Sequence, residues 1–313
     1  MKGIVADRYG GPEVLGMRQL EKPTIEPAEV LVRVEAAGLH VGDTFAVRGS
    51  PFPVRLMSGL RRPRYGVPGL DLAGRVEALG DTVTGFAVGD EVFGSGAGTC
   101  AEFAKASAGQ LALKPAGLTF AEAAAVPTSG LAALHGLRDA GKLQPGQRVL
   151  INGASGGLGT FAVQIAKALG GEVTAVCSTA NVELVRSLGA DHVIDYTRED
   201  FTQSERRYDL ILDNIENHSL SAMRRLLTPG GTLVLNSGTG ASGFRLLLRL
   251  VHPVVLSPLV KHNLRRYLST PNRPDLELLG KLVEEGRLRP AIGAQYSLED
   301  TPQALRHLET GHA

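Results

Sequence analysis

Gly153, Gly156, Gly157 and Gly159 fall within the single stretch Asn152-Gly153-Ala154-Ser155-Gly156-Gly157-Leu158-Gly159-Thr160. A turn so poor in side chains lets backbone N–H groups and a helix N-terminus come close to a diphosphate, because the Cβ atoms that would hold it off are absent. Ser155 and Leu158 lend their backbone to the same turn. The flanking residues suit that use. Val149-Leu150-Ile151 is the apolar, β-branched run of a buried parallel strand, and Phe161 to Leu169 carries apolar residues at helical spacing until Gly170-Gly171 stops it. A further strand is expected over 172–177, which completes the context that a dinucleotide motif needs. Close packing of a helix on a strand would use the same glycines and is the competing reading.

Ser178, Thr179 and Asn181 come directly after that second strand. An NAD enzyme places Asp or Glu here to hold the ribose 2′-hydroxyl. This segment has no carboxylate, and its three short polar side chains are able to hydrogen-bond a phosphate, so NADPH is expected in preference to NADH. Asn214 follows Leu210-Ile211-Leu212-Asp213, and Asn236-Ser237 close another apolar run. Ligands bind at the carboxyl ends of strands in open α/β sheets, so Asn214, Asn236 and Ser237 are expected near the nicotinamide half.

The elements that must hold these residues alternate. Strands are expected over 148–152, 172–177, 192–194, 208–213 and 232–236, with helices between them such as 181–188 and 220–227. That pattern makes a parallel sheet covered on both faces. Ahead of it, short strands over 30–36, 72–79 and 90–94, separated by Gly and Pro, indicate an all-β unit of the barrel type. Thr119-Phe120-Ala121-Glu122 is a capping box that starts a helix through Ala125, and a second helix is expected over 128–139. A helix over 275–285, a strand over 291–296 and a helix over 298–309 are expected to return to the first unit. The fold class is therefore α/β, a β-barrel domain (1–122 with 263–313) plus a doubly wound parallel-sheet domain (123–262).

Composition narrows the function. A formal net charge of +1 and 5% aromatic residues leave no basic, aromatic stripe for nucleic acid. Two cysteines, Cys100 and Cys177, are too few for a disulfide framework or a thiolate zinc site. Phe244 to Val260 is apolar, but Arg245, Arg249, Pro253 and Pro258 interrupt it, so no transmembrane segment is expected there. With no apolar signal core ahead of the first strand, a cytoplasmic location is expected.

The glycine turn placed after a β-rich half, together with Gly10-Gly11-Pro12-Glu13-Val14-Leu15, Pro68-Gly69-Leu70-Asp71-Leu72-Ala73-Gly74, Val88-Gly89-Asp90-Glu91-Val92, Leu188-Gly189-Ala190-Asp191 and Leu227-Thr228-Pro229-Gly230-Gly231, resembles the zinc-independent quinone-oxidoreductase branch of the medium-chain dehydrogenase/reductase superfamily. The resemblance implies a GroES-like domain, an inserted Rossmann domain and an active site in the cleft between them. It implies NADPH-dependent reduction of a quinone, an enone or a related conjugated carbonyl, and a homodimer. Metal-dependent relatives carry a cysteine in the segment matching Gly38 to Asp43, a His-Glu pair where Leu70-Asp71 stand here, and a four-cysteine lobe. This chain has none of these, so no metal is expected.

The same resemblance nominates further residues. Tyr196 matches a tyrosine beside the adenosine phosphate, with packing as its other use. Thr128 belongs to a cofactor-contacting helix start, where capping is the alternative. His40 and Asp43 match the substrate-side loop, and a histidine there is able to donate a proton to the acceptor oxygen; a structural histidine is the equal alternative. Tyr65 is a weaker catalytic candidate, beside Arg61. Relatives carry Lys or Arg where Ala180 and Val182 stand, and they continue beyond Ala313 into a closing strand. Two other functions stay open: an NADPH-binding protein with a structural, regulatory or RNA-associated role and little turnover, and an enoyl-thioester reductase.

Overall fold

Short apolar runs punctuated by Gly and Pro build the first part of the chain, in a computed structural model that describes every residue except 64–65, 237–259 and 312–313. Tyr65, Ser237 and almost all of the apolar 244–260 stretch lie outside the described residues. Strand β1 (Lys2–Ala6) pairs antiparallel with β2 (Leu15–Gln19). Strand β3 (Glu29–Gly38) leads into helices α1 (Val41–Arg48) and α2 (Pro53–Ser58). With β4 (Asp71–Leu79), β5 (Glu91–Ser95), β6 (Phe103–Ser107) and β7 (Leu111–Leu113), β3 forms an antiparallel sheet of order β6-β3-β4-β5-β7. Its core is Val30, Val32, Leu72, Val76, Val92, Ala104, Ala106 and Leu111. Sliding β3 by one residue would turn Val30 and Val32 outward, so burial pins the register.

The capping box forms as expected. Thr119 Oγ1 accepts from Glu122 N at 3.2 Å while the Glu122 carboxylate accepts from Thr119 N at 2.8 Å, starting α3 (Phe120–Ala124). Helix α4 (Pro127–Leu134) follows and widens into a π-helical turn over His135–Ala140.

The alternating half folds as β8 (Arg148–Asn152), α5 (Gly157–Ala168), β9 (Glu172–Cys177), α6 (Val182–Ser187), β10 (His192–Asp195), β11 (Tyr208–Asp213), α7 (Leu220–Arg225), β12 (Leu227–Leu235) and β13 (Asn263–Arg266). All neighbours are parallel, in the order β10-β9-β8-β11-β12-β13. This is the strand order of dinucleotide-binding sheets, with the connection reversing direction beside β8. Leu150, Val176, Tyr208, Ile211, Leu233 and Leu264 belong to one core cluster. Strand β12 starts earlier than its apolar run because Leu227 already pairs with Tyr208.

Helices α8 (Arg273–Glu284) and α9 (Thr301–Glu309) complete the described elements. The strand expected over 291–296 does not form, and Ala291, Gly293, Ala294 and Tyr296 are exposed. Alternation makes a strand only where a sheet edge offers hydrogen bonds, and no described strand pairs with this segment. By contacts the chain divides into one unit of Met1–Leu131, Thr270–Gly286 and Pro290–Ala313 and another of Ala132–Ser269 with Arg287–Arg289.

Candidate active site

In the second unit, β8 ends at Asn152 and Gly153 turns the chain with φ +79°, a left-handed conformation that disfavours any side chain. Gly156 then caps α5 with φ −73° and no side-chain hydrogen bond to the first turn. The leading N–H groups of the helix are thus left for another acceptor. Gly156 and Gly157 are exposed, Gly153, Ser155 and Leu158 half-buried, and Gly159 buried. A Cβ on Gly159 would lie 2.6 Å from the Ala154 carbonyl carbon, so this glycine lets α5 press against the turn. One on Gly156 would meet nothing nearer than 3.7 Å, so protein packing does not require that glycine. An exposed, side-chain-free helix start fits a diphosphate.

Around this cradle the strand ends carry polar groups. Asn152 and Asp213 pair in register across β8 and β11, and both are buried. Asn152 Nδ2 donates to Asp213 Oδ1 at 2.8 Å and to Asn217 Oδ1 at 3.0 Å. Asp213 Oδ1 also accepts from Glu216 N at 2.9 Å. Asp213 Oδ2 and Asn214 Nδ2 are buried with no hydrogen-bond partner among the described residues. Asn236 Nδ2 reaches Asn214 Oδ1 at 3.4 Å, which brings those two expected residues together. The loop after β11 is held by Glu216, at φ +54°, whose carboxylate takes two hydrogen bonds from Arg266 at 3.0 and 2.6 Å. Asn152 and Asp213 are functional candidates that the sequence reading missed. Their signal was a polar residue closing an apolar strand at matching positions.

At the end of β9, Asn181 Nδ2 donates to Ser178 Oγ at 3.2 Å. Thr179 Oγ1 donates to Asp195 Oδ2 at 2.5 Å, and Tyr196 next to it is exposed. The expectation of no carboxylate in this neighbourhood is therefore corrected. The segment 178–181 itself has none and Glu183 just after it pairs with Arg186, but parallel pairing sets Asp195 of β10 beside Cys177.

In the first unit, His40 and Asp43 come together at the start of α1. His40 Nδ1 accepts from Gly42 N at 3.0 Å, and Asp43 Oδ2 accepts from His40 N at 2.9 Å. A ring whose Nδ1 accepts carries its proton on Nε2. That Nε2 is buried with no hydrogen-bond partner among the described residues, 3.6 Å from Asp43 Oδ2. Thr128 meets a residue the sequence reading did not nominate. Its N–H donates to Asp71 Oδ2 at 2.9 Å and its hydroxyl to Asp71 Oδ1 at 2.7 Å. Burial pushes the Asp71 carboxyl up to about 6, against the opposing influence of His40 and the Thr128 hydrogen bonds.

A doubly wound sheet with a bare glycine cradle, joined to an antiparallel β unit, defines a dinucleotide-binding protein with a second domain. Residues 26–136 match the model described as alcohol dehydrogenase GroES-like domain, and residues 188–313 the one described as zinc-binding dehydrogenase. The chain belongs to the medium-chain dehydrogenase/reductase superfamily, in its quinone-oxidoreductase branch. A 2-methylene-furan-3-one reductase of Solanum lycopersicum is 31% identical over 334 residues, covering 100% of this chain and 77% of its own. A chloroplastic NADPH-dependent alkenal/one oxidoreductase of Arabidopsis thaliana is 30% identical, covering 100% and 78%. The structure of a quinone oxidoreductase from Coxiella burnetii superposes with a TM-score of 0.87 at 30% identity, covering 100% of this chain and 96% of that one. The description of one family model names zinc. Leu70 is no ligand, Asp71 is engaged with Thr128, and among the described residues no group of three or more His, Cys, Asp or Glu is placed to hold a metal ion.

Proposed function

We propose that the protein is an NADPH-dependent reductase that delivers hydride to a conjugated carbonyl, a quinone or an enone, without zinc. The observation that carries this reading is the exposed, side-chain-free start of α5, in a chain whose relatives along its whole length are named for enone, alkenal and quinone reduction. Gly153, Ser155, Gly156, Gly157, Leu158 and Gly159 would hold the diphosphate through backbone N–H groups. Ser178, Asn181 and Tyr196 would face the adenosine ribose and its phosphate. Asn214 and Asn236 would hold the nicotinamide half, and the buried Asn214 Nδ2, which has no partner among the described residues, is a donor for it. When bound, the reduced nicotinamide supplies the hydride. Negative charge then develops on the acceptor oxygen, where a positioned N–H or O–H donor lowers the barrier. His40 Nε2–H is such a donor, held by its cap with Asp43, while Thr128 is fixed by Asp71.

The test is oxidation of NADPH, followed by its absorbance, with a panel of a small quinone, an enone and an enoyl thioester. Saturable turnover of the first two supports the reading. Turnover confined to the thioester makes it an enoyl reductase, and tight NADPH binding without turnover of any of the three makes it a binding protein. Elemental analysis is expected to find no stoichiometric zinc. Light scattering is expected to find a homodimer, and a fluorescent fusion a cytoplasmic distribution.

A further inference from the structure

The carboxylate beside β9 changes what a 2′-phosphate would meet. Asp195 takes hydrogen bonds from Thr179 Oγ1 at 2.5 Å, from Thr197 N at 3.0 Å and from Thr197 Oγ1 at 2.7 Å. These contacts, the Thr179 hydroxyl first, hold its carboxyl below the usual carboxylate range, with Arg198 adding to them, so it is ionised at neutral pH. The Thr179 hydroxyl proton is already committed there and is not free for a phosphate. In a dinucleotide sheet the ribose 2′ position lies at the end of the second strand, here β9, and so beside this negative charge. A phosphate in that place would be repelled unless a cation stands with it.

Arg198 is that cation. Its Nε lies 3.3 Å from Asp195 Oδ2 and its side chain is 75% exposed. A guanidinium carries five N–H donors in a rigid fork, so Nε can stay on Asp195 while the outer nitrogens take a second anion. Arg198 and Tyr196 both line an open depression of about 380 Å3, which the acidic Glu199 and Asp200 line as well, with Thr197, Phe201, Asn217 and His218, so Arg198 is the cation that an anion there would have to use. At the end of β9, Ser178 Oγ accepts from Asn181 Nδ2 at 3.2 Å.

We propose that Arg198 is the residue that selects a 2′-phosphorylated nucleotide, bridging Asp195 to the phosphate and cancelling the repulsion Asp195 would exert. The inference rests on the nicotinamide-nucleotide reading above and supplies the cation that Ala180 and Val182 do not.

The probes are adenosine 2′,5′-diphosphate and adenosine 5′-monophosphate, which differ only in the 2′-phosphate, titrated by calorimetry into wild type, Arg198→Ala, Arg198→Lys and Asp195→Asn. Arg198→Ala is expected to weaken the diphosphate roughly tenfold, the scale of one charge-assisted hydrogen bond, and to leave the monophosphate unchanged. Arg198→Lys keeps charge without the fork and falls between. Asp195→Asn, which removes the repelling charge, is expected to tighten the diphosphate a few-fold. If Arg198→Ala weakens both probes equally, or neither, the selective role is overturned while the nucleotide reading stands. A wild-type protein that binds neither probe overturns that reading and the inference with it.

Discussion

On His40 the two ring nitrogens have separate duties. Nδ1 completes the cap of α1 and Nε2 is left with a proton and no partner among the described residues, so substitutions can separate capping from donation. His40→Ala removes both and is expected to cost about 1 kcal/mol of stability through the lost cap and about ten- to a hundredfold in kcat through the lost donor. His40→Asn keeps a cap and a donor, and is expected to retain most of both. NADPH affinity, measured by fluorescence titration, should change in neither variant. Equal turnover in wild type and His40→Ala would reduce His40 to a cap. Asp71 behaves differently, because its folded-state pKa is raised, chiefly by burial, to about 6 from 3.8. A carboxyl raised in this way contributes stability that is fully present below its unfolded value and is lost as pH rises through the folded one. The wild-type unfolding free energy is therefore expected to fall between about pH 4 and 6, by an amount on the order of 3 kcal/mol, and the thermal midpoint with it. Asn in its place can accept from Thr128 N and donate to Thr128 Oγ1, so Asp71→Asn should lose this pH dependence and be no less stable than wild type at pH 7. A variant much less stable at pH 7 would show that the charge is compensated. The turn over Gly153 to Gly159 and the strand-end positions of Ser178 and Asn214 were legible from residue type and spacing alone. Asp71 and Asp195 were not, because each acts through a partner far along the chain, Thr128 for one and Thr179 for the other.

Helix α5 and the turn before it divide the glycines by what each must avoid. Gly159 is required by the protein, since a Cβ there would press on Ala154 and Gly153. Gly156 has ordinary φ and open space around it, so packing does not require its bareness, and beyond its N-cap position a ligand is the reason to test. Gly159→Ala is expected to destabilise by about 1–3 kcal/mol through overpacking. Gly156→Ala is expected to melt within about 1 kcal/mol of wild type, the scale of an N-cap change, yet to lose most NADPH affinity. Thermal melts and fluorescence titration of the pair check this, and undiminished NADPH binding by Gly156→Ala would remove the turn from the cofactor site. Strands β8, β9 and β11 were legible as apolar runs covered on both faces, whereas β13 was not expected, because in Asn263-Leu264-Arg265-Arg266 only Leu264 is buried. The segment 291–296 was misread because its alternation says nothing about whether an edge is there to receive it, and β12 was cut short because Pro229, Gly230 and Gly231 look like a turn while their flanks are already paired.

Across the whole molecule, the residues proposed for the diphosphate, the adenosine and the nicotinamide lie in the second unit, apart from Thr128, while the positions that bind zinc in metal-dependent relatives belong to the first. The doubly wound half was readable from period and spacing, and the GroES-like half only from several weak motifs taken together, because short strands in an antiparallel unit carry little signal each. This separation makes a test with two independent readouts. A ligand that binds only the folded chain stabilises it by mass action, about 2.7 kcal/mol at one hundred times its dissociation constant. NADPH in that excess is expected to raise the thermal midpoint by several degrees, and more than NADH at equal concentration. A chelator such as EDTA should leave the midpoint and the turnover unchanged, since a structural or catalytic zinc would link its own binding energy to both. A chelator-induced fall in either would show a bound metal and overturn the zinc-independent reading. A midpoint indifferent to NADPH would empty the cradle at the start of α5 of its ligand.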